Sequence, residues 1–382
     1  MGQGPLEGLR VVELAGIGPV PLCGQLLGDL GADVVLVDRL APSGLGLALP
    51  RRFETNLRNR RSVAVDTKQP AGREVVLDLA GGADVLLEGF RPGVAERMGL
   101  GPQDCHARNP RLVYGRMTGF GQQGPLAPTA GHDLNYIALS GALHAIGPAG
   151  GAPLPPLNLV GDYGGGALYL AFGVMSALYE RHRTGRGQVV DAAMVDGAAS
   201  LMTVFFGLKA AGQWGAARGA NLLDGGAPFY RCYEAADGGW LSVAPLEPKF
   251  FAEFVRIAGL DATWCGRQYD RRAWPAMAEA IAARLRERTR DEWAAAFAGS
   301  DACVAPVLSM DEAPAHAHAR SREAFVTLDG IVQPGPAPRF GHSPAGEPTP
   351  PPQPGAHTDQ VLAEAGYDAA RIAQLRAAGV VG

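Results

Sequence analysis

The first 40 residues place two short apolar runs on either side of a segment with helical character. LRVVEL (Leu9–Leu14) and DVVLVD (Asp33–Asp38) have mostly apolar interiors, which is typical of strands buried on both faces. Between them, Leu22–Leu30 is rich in apolar residues, and Gly31 stands where helices commonly end. A strand, a helix and a second buried strand favour a parallel sheet covered by helices.

The same alternation continues through the first half of the chain. Further strands are predicted at Ser62–Asp66, Asp84–Glu88, Arg111–Arg116 and Gln188–Ala193. Helices are predicted over Tyr163–Arg183, which has three consecutive glycines in its first turn, and over Gly197–Ala211. The sequence therefore predicts an α/β fold.

The region from 221 to 328 differs in character and predicts a smaller α+β domain. It contains a strand candidate at Trp240–Ala244 and helix candidates at Lys249–Ala258 and Trp274–Arg288. We expect a discontinuous large domain of residues 1–200 and 329–382, with 201–220 as a linker. Within its second part, Pro334–Pro354 predicts extended chain, and a short terminal helix is expected after Asp368.

Composition excludes several classes of function. The 382 residues carry a net charge of −4, so no overall basic field favours nucleic acid. The five cysteines are scattered and never spaced as CxxC, which argues against disulfides and structural zinc and favours a reducing, cytoplasmic compartment. No signal peptide or membrane-spanning run is evident, and we expect no membrane partner. The alternating histidines of residues 315–320 are a weak metal candidate because acids and cysteines are missing nearby.

The turn GIGPVP (Gly16–Pro21) partly matches a dinucleotide-binding fingerprint, and Asp38 stands where a ribose-binding acid would. Pro21 replaces the third glycine, and Pro19 removes an amide that a pyrophosphate would use. The match is weak, and a simple tight turn explains the segment equally well.

Seven cations stand near predicted strand ends, where ligands of open parallel sheets bind: Arg39, Arg58, Arg60, Arg61, Lys68, Arg91 and Arg97. They are suited to gathering several phosphates, with Phe90 as an apolar face for a purine ring. Solvated arginines are an equally good explanation from the sequence alone.

Ionisable residues stand out beside apolar segments at two places in the chain. His132 and Asp133 precede an apolar run, and Asp162 precedes the glycines of the Tyr163–Arg183 helix. A helix-capping aspartate and a structural histidine are the common explanations. However, three glycines are poor helix formers, which suggests close approach of another group to the backbone.

Several ordered motifs resemble the α-methylacyl-CoA racemases of the family III CoA-transferase (CaiB/BaiF-type) superfamily. The resemblance extends from Leu9–Leu14 to His357–Asp359, and its motifs are GHDLNY (131–136), PLNLVGD (156–162), TGRGQVVD (184–191), NLLDGGAPFY (221–230) and SDACVAPV (300–307). It implies a large Rossmann-like domain, a smaller domain and an interlocked homodimer with active sites shared between subunits. Gly161 departs from the alanine of some relatives, and the 45–57 loop is also unusual.

The resemblance also implies the site residues. His132 and Asp162 would be the acid/base groups, and Glu247 of the LEP motif would pair with the histidine. The residues implied to contact acyl-CoA are Ile17, Arg39, Val65, Lys68, Gly89, Phe90, Arg91, Arg97, Gly131, Asp133 and Tyr136. Met194, Leu222 and Ala227–Tyr230 are candidates for the acyl pocket.

The implied activity is racemisation of the α-carbon of 2-methylacyl-CoA thioesters by two proton transfers through an enolate. Acyl-CoA would be the substrate, with no separate cofactor and no metal. Backbone amides at Asp162 and the following glycines are expected to stabilise the enolate. The rival within the superfamily is CoA transfer through an Asp162 anhydride. An NAD-dependent oxidoreductase and a non-enzymatic CoA-binding protein are alternatives of other classes, and the preferred acyl chain is not identified.

Overall fold

The computed structural model describes residues 3–41, 44 and 49–382. Contacts between Cα atoms divide the chain into two compact units. The first unit comprises 1–140, 157–201 and 317–382, and the second comprises 141–156 and 202–316. This division differs from the predicted domains in its assignment of 141–156, 201–220 and 317–328.

A six-stranded, wholly parallel sheet forms the centre of the first unit. Its strands are β1 (Arg10–Leu14), β2 (Asp33–Asp38), β3 (Arg60–Ala64), β4 (Val85–Glu88), β5 (Val113–Thr118) and β6 (Val189–Ala193). The spatial order is β3-β2-β1-β4-β5-β6, the doubly wound order whose ligand crevice opens where β1 and β4 diverge. The predicted α/β class is confirmed.

Helices complete the first unit. They are α1 (Pro19–Asp29), α2 (Pro70–Gly81), α3 (Val94–Arg97), α4 (Pro102–Arg108), α5 (Asp133–Leu139), α7 (Leu168–Thr184), α8 (Met194–Leu201), α13 (Ala317–Ser321), α14 (Thr358–Glu364) and α15 (Ala369–Ala377). A hairpin of β10 (Phe325–Leu328) and β11 (Ile331–Pro334) precedes the proline-rich segment, which contains neither helix nor strand from 335 to 354.

Two apolar layers bury the sheet of the first unit. One face packs on α2, α14 and α15, with Val76 and Leu86 among its fully buried residues. The other packs on α1 and α7, where Val20 and Leu170 are fully buried. Burial on both faces explains why the strand sequences are continuously apolar.

The second unit has its own core and a three-stranded antiparallel sheet. Its elements are α6 (Ala142–Ala145), α9 (Thr203–Ala210), β7 (Arg231–Glu234), β8 (Trp240–Val243), α10 (Pro248–Ala258), α11 (Trp274–Leu285), α12 (Arg290–Phe297) and β9 (Val304–Pro306). Aromatic rings dominate its core, where Phe229 packs against Phe251 and Trp274.

Two predicted helices differ from the structure. The predicted helix over Tyr163–Arg183 begins as a π-helix at Leu159–Ala167 and continues as α7. The predicted helix over Gly197–Ala211 is two helices, α8 and α9, that meet at Met202. Glycine-rich turns have few side chains to select one helical geometry, so the sequence pattern does not separate π from α.

Candidate active site and ligand cavity

A cavity of about 840 Å³ opens at the carboxyl ends of β1 to β4, where a doubly wound sheet binds ligands. Five of the residues implied by the resemblance line it: Arg39, Val65, Lys68, Phe90 and Arg97. Arg73, near the start of α2, also lines the cavity and was not predicted. It lies in α2, as Arg97 lies in α3, and no residue of the motifs that carry the resemblance points to it.

Four cations of this cavity, Arg39, Lys68, Arg73 and Arg97, are termed the cavity cations. Across the described ranges, no acidic side chain lies within salt-bridge distance of any of them. The carboxylate of Asp38 also lines the cavity, but it accepts hydrogen bonds from Arg51 at 2.6 Å and from the Ser62 hydroxyl at 2.6 Å. These two donors occupy the group that a dinucleotide ribose would need.

Three of the seven cations considered from the sequence are held in ion pairs instead. Arg58 forms a bidentate ion pair with Asp29, and Arg60 pairs with Glu13. Arg61 is bidentate to Asp33. These three cations are therefore held by carboxylates of the protein and are not free to bind a ligand.

The turn after β4 is held by a buried carboxylate. The Glu88 carboxylate accepts a hydrogen bond from the backbone N–H of Phe90 at 2.7 Å and forms an ion pair with Arg116 at 2.7 Å. This arrangement fixes Phe90 at the cavity wall, while Gly89 and Arg91 are exposed beside it. The positive charge of Arg91 partly opposes the effects that raise the pKa of Tyr136.

Asp162 lies in the π-helix, half-buried, with its Oδ2 accepting a hydrogen bond from the Asn158 amide at 3.2 Å. A β-carbon built on Gly18 would lie 3.8 Å from the same oxygen. Gly18 has a φ of +77° and precedes α1. The turn that resembles a dinucleotide fingerprint, with exposed Ile17, therefore faces this carboxylate.

His132 is the N-cap residue of α5, and Asp133 is its first helical residue. The side chain of His132 is exposed, whereas Asp133 is buried. Asp133 Oδ1 accepts the backbone N–H of Asp162 at 2.7 Å.

The expectation that the backbone amide of Asp162 serves the enolate is wrong for this structure, because that amide already donates to Asp133. The following glycines lie inside the π-helix, where Tyr163 donates to Asn158 and Leu168 to Tyr163 in the five-residue π pattern. Their amides are therefore part of the helix rather than a free anion-binding terminus.

Electrostatics separate Asp162 from an ordinary surface carboxylate. Burial raises its pKa, the charge of Asp133 adds to this effect, and the Asn158 hydrogen bond and His132 oppose it. Tyr136 packs edge-on against Phe120 and donates to the Gly131 carbonyl. Burial, followed by the charge of Asp162, raises the pKa of Tyr136 to about 12, so its phenol stays protonated.

Glu247 belongs to the second unit, as the N-cap of α10. Its side chain is exposed, and its charge helps burial to raise the pKa of Tyr269 and of Cys303. Of the candidates for the acyl pocket, Ala227 and Phe229 are fully buried in the core of this unit. Their side chains therefore pack the core, while Leu222 and Tyr230 are only partly buried.

No group of three metal-ligating side chains occurs among the residues that the structure describes, including the histidines of residues 315–320. Within the same ranges, no helix has the length and apolarity needed to cross a membrane.

Comparison of the sequence with known proteins identifies its family. The model of CoA-transferase family III matches residues 6–358. The chain belongs to this family. The family resemblance inferred from the motifs is thereby confirmed.

Individual relatives cover nearly the whole chain. Alpha-methylacyl-CoA racemase of Mus musculus is 44% identical over 98% of this chain and 97% of its own length. The protein of the same name from Homo sapiens is 42% identical with the same coverage. Among solved structures, a CaiB/BaiF family protein from Brucella suis has a TM-score of 0.80 and 26% identity, covering 95% of this chain and all of its own.

Proposed function

We propose that this protein is an α-methylacyl-CoA racemase, an isomerase that inverts the α-carbon of 2-methylacyl-CoA thioesters. The observation that carries the proposal is that the fold brings the segments of His132 and Asp162 together. The two residues are far apart in sequence, yet Asp133, which follows His132 directly, accepts the backbone N–H of Asp162 at 2.7 Å. Two relatives that carry the racemase name at over 40% identity support the same activity.

In the proposed reaction, one of the two groups removes the α-proton, and its electron pair passes to the thioester oxygen to give an enolate. The other group returns a proton to the opposite face, which inverts the centre. The roles exchange with the hand of the substrate, so Asp162 must hold a proton in one direction. Its raised pKa suits that requirement. Glu247 would orient the imidazole and stabilise its cationic form.

Acyl-CoA is the substrate in this proposal, and no separate cofactor or metal takes part. The cavity cations would bind its phosphates, since arginine and lysine suit clustered phosphate charge. Phe90 would offer its ring to the adenine. The cavity cations and the Phe90 ring line the same cavity. A ring beside clustered positive charge suits an anionic nucleotide better than an acidic peptide.

We also infer a homodimer in which each site takes residues from both subunits. An exposed apolar stripe on α7 supports this, with Leu168, Phe172 and Tyr179 spaced at helical intervals and all exposed. Contiguous apolar surface of this kind usually marks a protein interface.

We propose a cytoplasmic location for the protein. Its free cysteines, two of which are exposed, are compatible with a reducing compartment.

The rival activity is CoA transfer, with Asp162 as the nucleophile of an acyl anhydride. It needs no base at His132. The test is racemisation of one stereoisomer of a 2-methylacyl-CoA by wild type, His132→Ala and Asp162→Ala, without any acceptor acid. We expect both variants to lose at least ~10²-fold in kcat, as for removal of a general acid or base.

His318→Ala and Asp368→Ala, which change exposed residues of α13 and of the α15 N-cap, are the matched controls and should retain wild-type rates. No racemisation, together with CoA transfer to an added acid that survives in His132→Ala, would establish the rival activity instead.

A further inference from the structure

The side chain of Asp133 connects the two segments that carry the proposed acid/base groups. Its backbone follows His132 directly, and its Oδ1 accepts the backbone N–H of Asp162 at 2.7 Å. The N-terminus of α5 is itself closed, since Asn135 Oδ1 accepts the backbone N–H of His132 at 3.0 Å. The side chain of Asp133 thus links the first turn of α5, which begins after His132, to the backbone of Asp162.

The surroundings of Asp133 limit its movement. The residue is only 6% exposed, and the α-carbon of Gly161 packs against it so closely that an added β-carbon would lie 2.5 Å from Oδ1. Ile137 flanks the same contact. A carboxylate held this closely against the chain just before Asp162 fixes where that backbone lies.

The second carboxylate oxygen of Asp133 differs from the first, which accepts the Asp162 amide. Oδ2 of Asp133 is buried and lacks any hydrogen-bond partner among the described residues. Buried polar atoms are normally paired, and an asparagine or a fully paired aspartate would serve folding better. The charge of the residue therefore calls for an explanation beyond the fold.

We propose that Asp133 is a positioning residue that sets the separation and orientation of His132 and Asp162. This inference rests on the proposed racemase function. Two acid/base groups on opposite faces of one carbon must both be held in register, and a displacement of about 1 Å can cost ~10²-fold in rate.

The charge of Asp133 supports the same role. Asp133, His132 and Asn158 act on the pKa of Asp162, and the charge of Asp162 acts in turn on the Tyr136 phenol. Gly18, before α1, brings no titratable group to the Asp162 carboxylate, and Asp196 of α8 is exposed. Asp133 raises the pKa of Asp162 in addition to the larger effect of burial. Removing this negative charge should therefore lower the pKa of Asp162.

The test compares Asp133→Ala and Asp133→Asn with Asp368→Asn, whose aspartate also accepts a backbone N–H at 2.7 Å, at the N-cap of α15. We expect Asp133→Ala to lose ~10- to 100-fold in kcat with KM for acyl-CoA changed less than about threefold. Asp133→Asn keeps an acceptor oxygen, so its kcat should fall less. One limb of its kcat–pH profile should move to lower pH, whereas the Asp368→Asn profile should match wild type.

Three results would overturn the inference: an Asp133→Asn profile equal to wild type, a loss in Asp133→Ala that lies in KM rather than kcat, or unfolding of Asp133→Asn under conditions where Asp368→Asn stays folded. A wild-type protein that exchanges no α-proton would instead remove the proposed function, and this inference with it. The two failures are therefore distinguishable.

Discussion

The arginines around β3 and the cavity cations belong to the same part of the chain but have opposite environments. Arg58 and Arg60 are buried and bonded to Asp29 and Glu13, with side chains 2% and 0% exposed. Arg39 and Arg73 line an open cavity without an acidic partner in the described structure. Residue type is therefore uninformative here, and the position of a carboxylate on a neighbouring element decides which arginine is structural and which is free for a ligand.

The largest expected effect is on the free energy of unfolding, and it should distinguish the buried arginines around β3 from the cavity cations. Arg58→Met removes four hydrogen bonds, to Asp29, Gln333 and Pro334, and leaves the buried Asp29 carboxylate without its cation. Breaking a buried pair in this way should lower the free energy of unfolding by about 3–5 kcal/mol. Denaturant unfolding measures the change.

The double variant Asp29→Asn, Arg58→Met is the control, because it removes the uncompensated charge as well. It should be more stable than Arg58→Met alone. A single variant with wild-type stability would show that the pair does not differ from the cavity cations.

A smaller effect, on binding rather than folding, is expected at the cavity. Arg73→Ala should weaken the affinity for CoA by ~10- to 150-fold, the value of a charge-assisted hydrogen bond to phosphate, and leave the unfolding free energy nearly unchanged. Calorimetric titration with CoA measures it. Arg108→Ala, which breaks surface pairs with Glu74 and Asp78, is the control and should bind CoA as wild type does.

If Arg73→Ala bound CoA with unchanged affinity, Arg73 would be a solvated arginine without a role in binding. It would also limit the anion-binding part of the cavity to Arg39, Lys68 and Arg97.

The smallest effect is expected for Arg61, whose environment is intermediate between that of the buried arginines and that of the cavity cations. It pairs with Asp33 and Glu364, but its side chain is 22% exposed. Exposed ion pairs contribute little, so Arg61→Ala should cost less than about 1 kcal/mol of unfolding free energy and leave CoA affinity unchanged. A loss as large as that of Arg58→Met would contradict the distinction by burial.

The sheet was largely predictable from the sequence because its strands are buried on both faces. Asp33–Asp38 is predicted to the residue, and the other strands lie within about two residues of their predicted bounds. Short amphipathic elements were harder to predict. The strand β7 and the helix α12 have only four and eight residues, and each depends on packing against the aromatic core of the second unit.

The candidate site was predictable in its residue types but not in its connections. His132, Asp162 and the cavity positions Arg39, Lys68 and Phe90 follow from motifs and strand ends. The bond from Asp162 to Asp133 spans 29 residues, and the partners of Arg58 and Arg60 lie 29 and 47 residues away. Such pairings depend on the tertiary arrangement, which spacing in the sequence does not encode.

The central claim is that His132 and Asp162 move protons on opposite faces of one carbon. The most direct test is to convert a single stereoisomer of a 2-methylacyl-CoA in deuterium oxide and determine deuterium in the inverted product at early conversion. We predict that the inverted product carries solvent deuterium at its α-carbon from the first turnovers, without any added acid. Inverted product that retains the original hydrogen, or CoA transfer to an added acid without any α-exchange, would contradict the claim.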